Sequence, residues 1–139
     1  KPPWGRITAI DLNAGEIVWQ IAHGETPDFV SNHPALQGLE IPRTGRPGGA
    51  GGSSGGIGTL TTKTLVISGE GGVVTTPTGD RRAMLRAYDK ATGEEKGAVY
   101  IPAAQTGSPM TYMFDGRQYI VLAVGGGVTQ GELVAFRLP

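Results

Sequence analysis

Few side chains in this sequence are of types that do chemistry, and their spacing narrows them further. His23 and His33 stand ten residues apart, at a strand end and in a loop, with no carboxylate spaced to make them a metal pair. Solvated or capping roles are favoured for both, and His33 is the one that a long loop could bring to a substrate. Gly52-Ser53-Ser54-Gly55-Gly56 fits G-x-S-x-G. A nucleophile elbow needs a strand before it and a helix after it, and the sequence predicts neither. The glycine runs contain no G-x-x-x-x-G-K-[ST] and no G-x-G-x-x-G, so no phosphate cradle is implied. Glu70 and Asp80 lie in a glycine-rich loop where solubility explains them, and Glu94-Glu95-Lys96 reads as a solvated turn edge. The residues alone therefore name no catalytic group and no metal ligand.

The elements that would position any site are clearer. Ala9 to Trp19, A-I-D-L-N-A-G-E-I-V-W, reads as two short strands around a turn. Asp11 can accept backbone N–H bonds across that turn, and Gly15 tolerates the positive φ it requires. The pattern recurs: Ala9, Asp11 and Gly15 match Ala87, Asp89 and Gly93 in spacing, and Ile7-Thr8-Ala9 matches Leu85-Arg86-Ala87. Leu133-Val134-Ala135-Phe136 is a truncated third copy. Two-strand units of this kind cannot each bury an apolar face alone, so they imply stacked sheets of a propeller or a related repeat array. Trp19 is expected to be a packing plate between neighbouring sheets.

The chain of 139 residues carries 24 glycines and 10 prolines, which favours turns over long helices. Twelve Lys plus Arg balance twelve Asp plus Glu, so there is no electrostatic footprint for nucleic acid or an acidic membrane. Cysteine is absent, which excludes disulfides and thiolate metal sites. No apolar run approaches a membrane span. The opening Lys1-Pro2-Pro3-Trp4, with no initiating Met, is expected of a piece cut from something longer.

Nine strands are predicted, at about residues 6–12, 16–22, 57–62, 64–68, 84–89, 98–101, 110–114, 118–124 and 132–138. Long loops fill about 24–56 and 69–83, and one helical turn at most is expected within 32–39. Asp115-Gly116 is a two-residue hairpin signal, and the apolar run 118–124 suits a strand buried on both faces. The fold class is all-β: about two four-stranded antiparallel blades and a closing strand, over 1–139. Closed propellers have about four to eight blades, so this chain alone is a partial one.

W-G-R-I-T-A-I-D-L-N-A-G-E-I-V-W, L-R-A-Y-D-K-A-T-G, G-S-P-M-T-Y-M-F-D-G-R-Q-Y-I-V-L-A-V-G-G-G and L-V-A-F-R-L-P together resemble the C-terminal end of pyrroloquinoline-quinone (PQQ)-dependent dehydrogenases, of the glucose-dehydrogenase-like branch. The resemblance implies an eight-bladed propeller locked by tryptophan docking motifs, with PQQ and Ca²⁺ over the central channel, working in the periplasm. It implies hydride transfer from a small-molecule alcohol, sugar or polyol to the quinone, then electron delivery to a quinone or cytochrome acceptor. The base and the metal ligands belong to blades outside this chain. Cofactor-binding positions implied here are Trp4 and Gly5, at the quinone rim, and Gly125, Gly126 and Gly127, where a backbone without Cβ can approach a flat ligand; the loop 69–82, with Glu70 and Asp80, is expected to face the cofactor too.

The sequence departs from sugar-oxidising relatives at Gly127, where they place a His, and at Gly97, where the second docking tryptophan belongs. Arg81-Arg82 stand where some relatives have an acid. The fragment alone is expected to be inactive. The rival reading is a non-enzymatic propeller scaffold of the outer-membrane assembly lipoprotein type, which would share the repeat but not the P-M-T-Y…Q-Y-I-V stretch or the glycine-lined mouth. Open sheet edges also present unpaired backbone groups through which copies could self-associate.

Overall fold

A computed structural model describes residues 1–46, 57–126 and 129–139. Strands β1 (Arg6–Asp11) and β2 (Glu16–Ala22) form an antiparallel hairpin. At its turn the Asp11 carboxylate accepts the N–H of Asn13 at 2.8 Å, and Gly15, at φ +72°, donates back to the Asp11 carbonyl. The second copy repeats this atom for atom. Asp89 accepts the N–H of Ala91 at 2.8 Å, and Gly93, at φ +75°, donates to the Asp89 carbonyl. The register shift also falls in the same place, directly after Ala9 and directly after Ala87. Trp19 pairs with Ala9, and Gly97 holds the equivalent position opposite Ala87.

The second copy belongs to a larger sheet. Strands β3 (Leu60–Thr61), β4 (Leu65–Gly69), β6 (Arg81–Asp89) and β7 (Glu95–Ile101) make a four-stranded antiparallel blade. β5 (Val74–Thr75) pairs with the start of β6. The third sheet has the order β10 (Thr129–Arg137), β9 (Arg117–Gly126), β8 (Met110–Phe114). Asp115 and Gly116, both at positive φ, close the β8–β9 hairpin as the sequence predicts.

Among the described residues ten strands thus stand where nine were expected. The addition, β5, lies inside the segment read as a loop at 69–83, where the Thr76-to-Asp80 turn returns the chain to pair with Arg81 and Arg82. The loop after β2 also carries a short helix, α1 (Asp28–Ser31), and a 3-10 turn (Pro34–Leu36). α1 begins behind Pro27, whose missing N–H costs nothing at a helix start.

The core lies between the middle blade and the third sheet. Ile67, Leu85 and Ile101 meet Ile120, Leu122 and Val124, and Ala83 and Ala103 keep the sheets close. Each large apolar side chain buried there contributes about 1.5–3 kcal/mol. β9 is not buried on both faces as expected: Ile120, Leu122 and Val124 are buried, while Val121 and Ala123 on the other face are half-exposed. Trp19 joins the first hairpin to the blade. Its indole N–H donates to the Lys90 carbonyl at 3.0 Å, and its ring covers Gly93 so closely that a Cβ there would stand 2.9 Å from it. The result is an all-β partial propeller: a two-stranded hairpin, one complete blade and a three-stranded sheet, in chain order.

Candidate functional site

At one end of the three sheets lie Trp4 and Gly5, the start of the 69–83 excursion, and Gly125 and Gly126. β1 begins there, and β2, β4, β7 and β9 end there. The segments are stitched in series by hydrogen bonds. His23 N–H donates to the Gly5 carbonyl at 3.0 Å, and the His23 ring reaches the Gly69 carbonyl at 3.1 Å. Gly69 N–H donates to Gln105 Oε1 at 2.6 Å, and Gln105 pairs with Val124. Gly125 N–H donates to the Ala104 carbonyl at 2.9 Å. Trp4, Gly5, Gly125 and Gly126 therefore share this mouth, while Gly127 and the G-x-S-x-G stretch lie outside the described residues.

The four described positions differ in what they offer. Trp4 donates its backbone N–H to Thr44, and its ring, 40% exposed, stacks on Phe29 with centroids 6.2 Å apart and planes 24° apart. Gly5 is buried, and a Cβ there would overlap the Arg46 carbonyl, so chain packing by itself demands glycine. At Gly125 a Cβ would press on Gly131 at 3.1 Å, again a demand of the β9–β10 hairpin. Gly126, exposed and at φ +108°, leaves its backbone uncovered. Trp4 and Gly126 are the two exposed members of the four.

Behind the mouth sits a buried charge network that sequence reasoning missed. Arg86 on β6, 2% exposed, donates from Nε to Glu70 Oε1 at 2.7 Å and from Nη1 to both Glu95 oxygens at 2.9 and 3.0 Å. Its Nη2 donates to Glu25, and Arg43 donates to Glu95 Oε2 at 2.7 Å. Two guanidinium groups thus share three carboxylates. Burial pushes the Glu70 carboxyl above its usual range despite Arg86, and its Oε2 has no partner among the described residues. Burial works against charge on Glu95 also, but Arg43 and Arg86 win and hold it below its usual range. For Arg86, burial opposes the charge and the Glu70, Glu95 and Glu25 carboxylates more than restore it.

His23 is buried, not solvated as expected: its ring bonds both the Gly69 carbonyl at the end of β4 and the Tyr88 hydroxyl of β6. Burial lowers its pKa, so the ring is neutral. The Gly69 carbonyl can only accept, which places the proton on Nε2 and leaves Nδ1 to accept from the Tyr88 hydroxyl at 2.9 Å. His33 does cap: its Nδ1 accepts the Ala35 N–H at the 3-10 turn. Glu70 and Glu95 are likewise not the solvated loop and turn residues expected, since each turns in to Arg86. Glu94 and Lys96 do form an exposed pair at 2.7 Å. The available signal for the network was Arg86 itself, an arginine two residues from Tyr88 inside the otherwise apolar run 83–88. Its partners lie 9, 16 and 61 residues away, beyond any local pattern.

Among the described residues no group of three or more His, Asp or Glu could hold a metal ion. A model of the β-propeller domain of PQQ glucose/ethanol/alcohol dehydrogenases matches residues 1–120. The chain is 32% identical to quinoprotein glucose dehydrogenase of Escherichia coli (strain K12), over 100% of this chain and 16% of that protein. It is 33% identical to a probable quinate dehydrogenase (quinone) of Xanthomonas campestris pv. juglandis, over 99% of this chain and 16% of that one. The large subunit of glycerol dehydrogenase from Gluconobacter thailandicus is 30% identical over 100% of this chain and 17% of its own length. The chain thus spans about a sixth of the length of these curated relatives.

Proposed function

From the premise that the chain belongs to the β-propeller family of PQQ glucose/ethanol/alcohol dehydrogenases, we propose that it is the C-terminal part of the propeller of a PQQ-dependent dehydrogenase. The parent oxidises an alcohol, sugar or polyol in the periplasm and passes the electrons to a quinone or cytochrome acceptor. The observation that carries this reading is the family match over residues 1–120, and the exposed Trp4 and Gly126 are consistent with it.

PQQ, when bound, supplies the two-electron acceptor for a substrate hydride. This chain's part is to orient and enclose it. The exposed Trp4 ring offers a flat apolar edge and Gly126 a backbone without side chain. Arg46, whose guanidinium lies against Gly72 and whose Nε has no partner among the described residues, offers a cation to an anionic cofactor. Glu70 is not offered as a base, since it is buried and tied to Arg86. Among the described residues no cluster of carboxylates is placed to ligate calcium. Trp19 on Gly93 is the docking tryptophan of the first repeat, and Gly97 leaves the second repeat without one.

The test is a titration of PQQ into the apo parent, followed by dye-linked oxidation of glucose, quinate, glycerol and ethanol. PQQ-dependent turnover of at least one is expected, with Trp4→Ala weakening PQQ binding severalfold. No PQQ binding by the parent would overturn the proposal. The fragment by itself should turn over none of the four substrates with excess PQQ and Ca²⁺.

A further inference from the structure

The chain after β2 runs as a strap, residues 24–46, along the mouth, and its grip on the rest is uneven. α1 holds nothing by itself: it has four residues, none buried, and no side-chain cap. Phe29 is 74% exposed, so packing does not enforce its stack on Trp4. What fixes α1 is Asp28. Its Oδ1 accepts the Thr75 N–H at 3.3 Å, and its Oδ2 accepts the Thr75 hydroxyl at 3.0 Å and Arg81 Nη1. Arg81 is itself aimed by Thr75 Oγ1 at 3.1 Å and by the Val73 carbonyl at 3.3 Å. Both carboxylate oxygens and both guanidinium Nη atoms are used, which an incidental surface pair does not achieve.

Resting on the functional reading above, we propose that Asp28 and Arg81 are positioning residues for the cofactor rim: they latch α1 so that Phe29 holds the Trp4 ring in one orientation. Thr75 belongs to β5, the strand that the sequence did not announce. The excursion at 69–83 thereby gains a purpose, because it carries the latch's receiving half. Asp28 is held below the usual carboxylate range: burial opposes this, but the Thr75 and Arg81 hydrogen bonds prevail, so the latch stays charged.

The experiment uses the full-length parent with Asp28→Asn, Arg81→Ala, Arg81→Lys and Phe29→Ala, and Lys96→Ala as a distant control. Amide exchange of the apo protein reads the latch directly. Exchange at residues 28–31 and at Trp4 should rise about three- to tenfold in Asp28→Asn and Arg81→Ala. The PQQ dissociation constant should rise by a similar factor in both and in Phe29→Ala, while kcat at saturating PQQ moves far less. Arg81→Lys, which keeps the charge but not the fork, should fall between wild type and Arg81→Ala. Lys96→Ala should change none of these. A parent that binds no PQQ overturns the functional reading and this role with it. A parent that binds PQQ equally well with and without the latch overturns the latch alone.

Discussion

Arg86 shows how much one side chain can be asked to hold. Breaking a buried ion pair costs about 3–5 kcal/mol because the abandoned charge stays buried. Arg86→Met should therefore destabilise the parent by about that much near neutral pH, measured by urea unfolding. The cost should shrink in the double variant Arg86→Met/Glu70→Gln, which leaves no buried carboxylate unpaired at Glu70. A cost undiminished in the double variant would show that Glu70 is not the source. His23 sets a second, pH-dependent expectation. Its folded pKa lies below its unfolded value, so the unfolded chain takes up the proton first as pH falls. Its contribution is complete above about pH 6.5 and is lost as pH drops below that, at up to about 1.4 kcal/mol per pH unit. Glu70, shifted upward, acts in the opposite sense, gaining stability as pH falls through its raised pKa. The comparison must therefore be with His23→Gln: the stability advantage of wild type over this variant should shrink as pH falls below about 6.5.

At the scale of elements, the join between the β1–β2 hairpin and the blade rests on Trp19, Lys90 and Gly93. Gly93→Ala should cost about 1–2 kcal/mol, from the left-handed backbone and the missing room against the indole. Trp19→Phe, which loses the bond to Lys90, should cost about 0.5–1.5 kcal/mol from that bond. Because the two residues touch, the double variant should depart from additivity by about 0.5 kcal/mol or more in thermal or urea unfolding; strict additivity would mean they do not share a contact. These turns were legible in the sequence because each is local: Asp at one position serves N–H groups two and three residues on, and Gly follows where φ must be positive. β5 was not legible, since two residues pair only after the chain has turned at Thr76–Asp80. The glycines at the mouth were half legible. Gly5 and Gly125 were read as ligand-facing, yet neighbouring backbone already explains both, a fact only the packed chain reveals. The Arg86 network, like the Asp28 latch, joins residues too distant in sequence for any window to connect.

Across the molecule, the first hairpin and the third sheet leave large apolar side chains uncovered, Leu12 at 89% and Leu133 at 77% exposure, with Ile17, Met113 and Phe114 also exposed. Exposed patches of this kind associate in water. The isolated 139-residue chain should sediment with an average mass that grows with concentration, and Leu12→Lys/Leu133→Lys should reduce that growth. A strictly monomeric species across the range would contradict this. The relatives that match are named as dehydrogenases, which favours the enzyme over the scaffold reading of the same repeat.

The series of bonds from Gly5 through His23, Gly69 and Gln105 to Gly125 also makes the two poles of the body unequal. At the far pole the turns stand apart; beside Gly15 and Gly116 nothing lies within 4 Å of where a Cβ would sit. Extra residues grafted at Asp115-Gly116 would meet only the slow logarithmic toll of a longer loop, about 0.6 kcal/mol per doubling. The same graft between Gly69 and Glu70 would tear a seam. Lineages that lengthen this chain, and engineers who tag it, have one pole open to them.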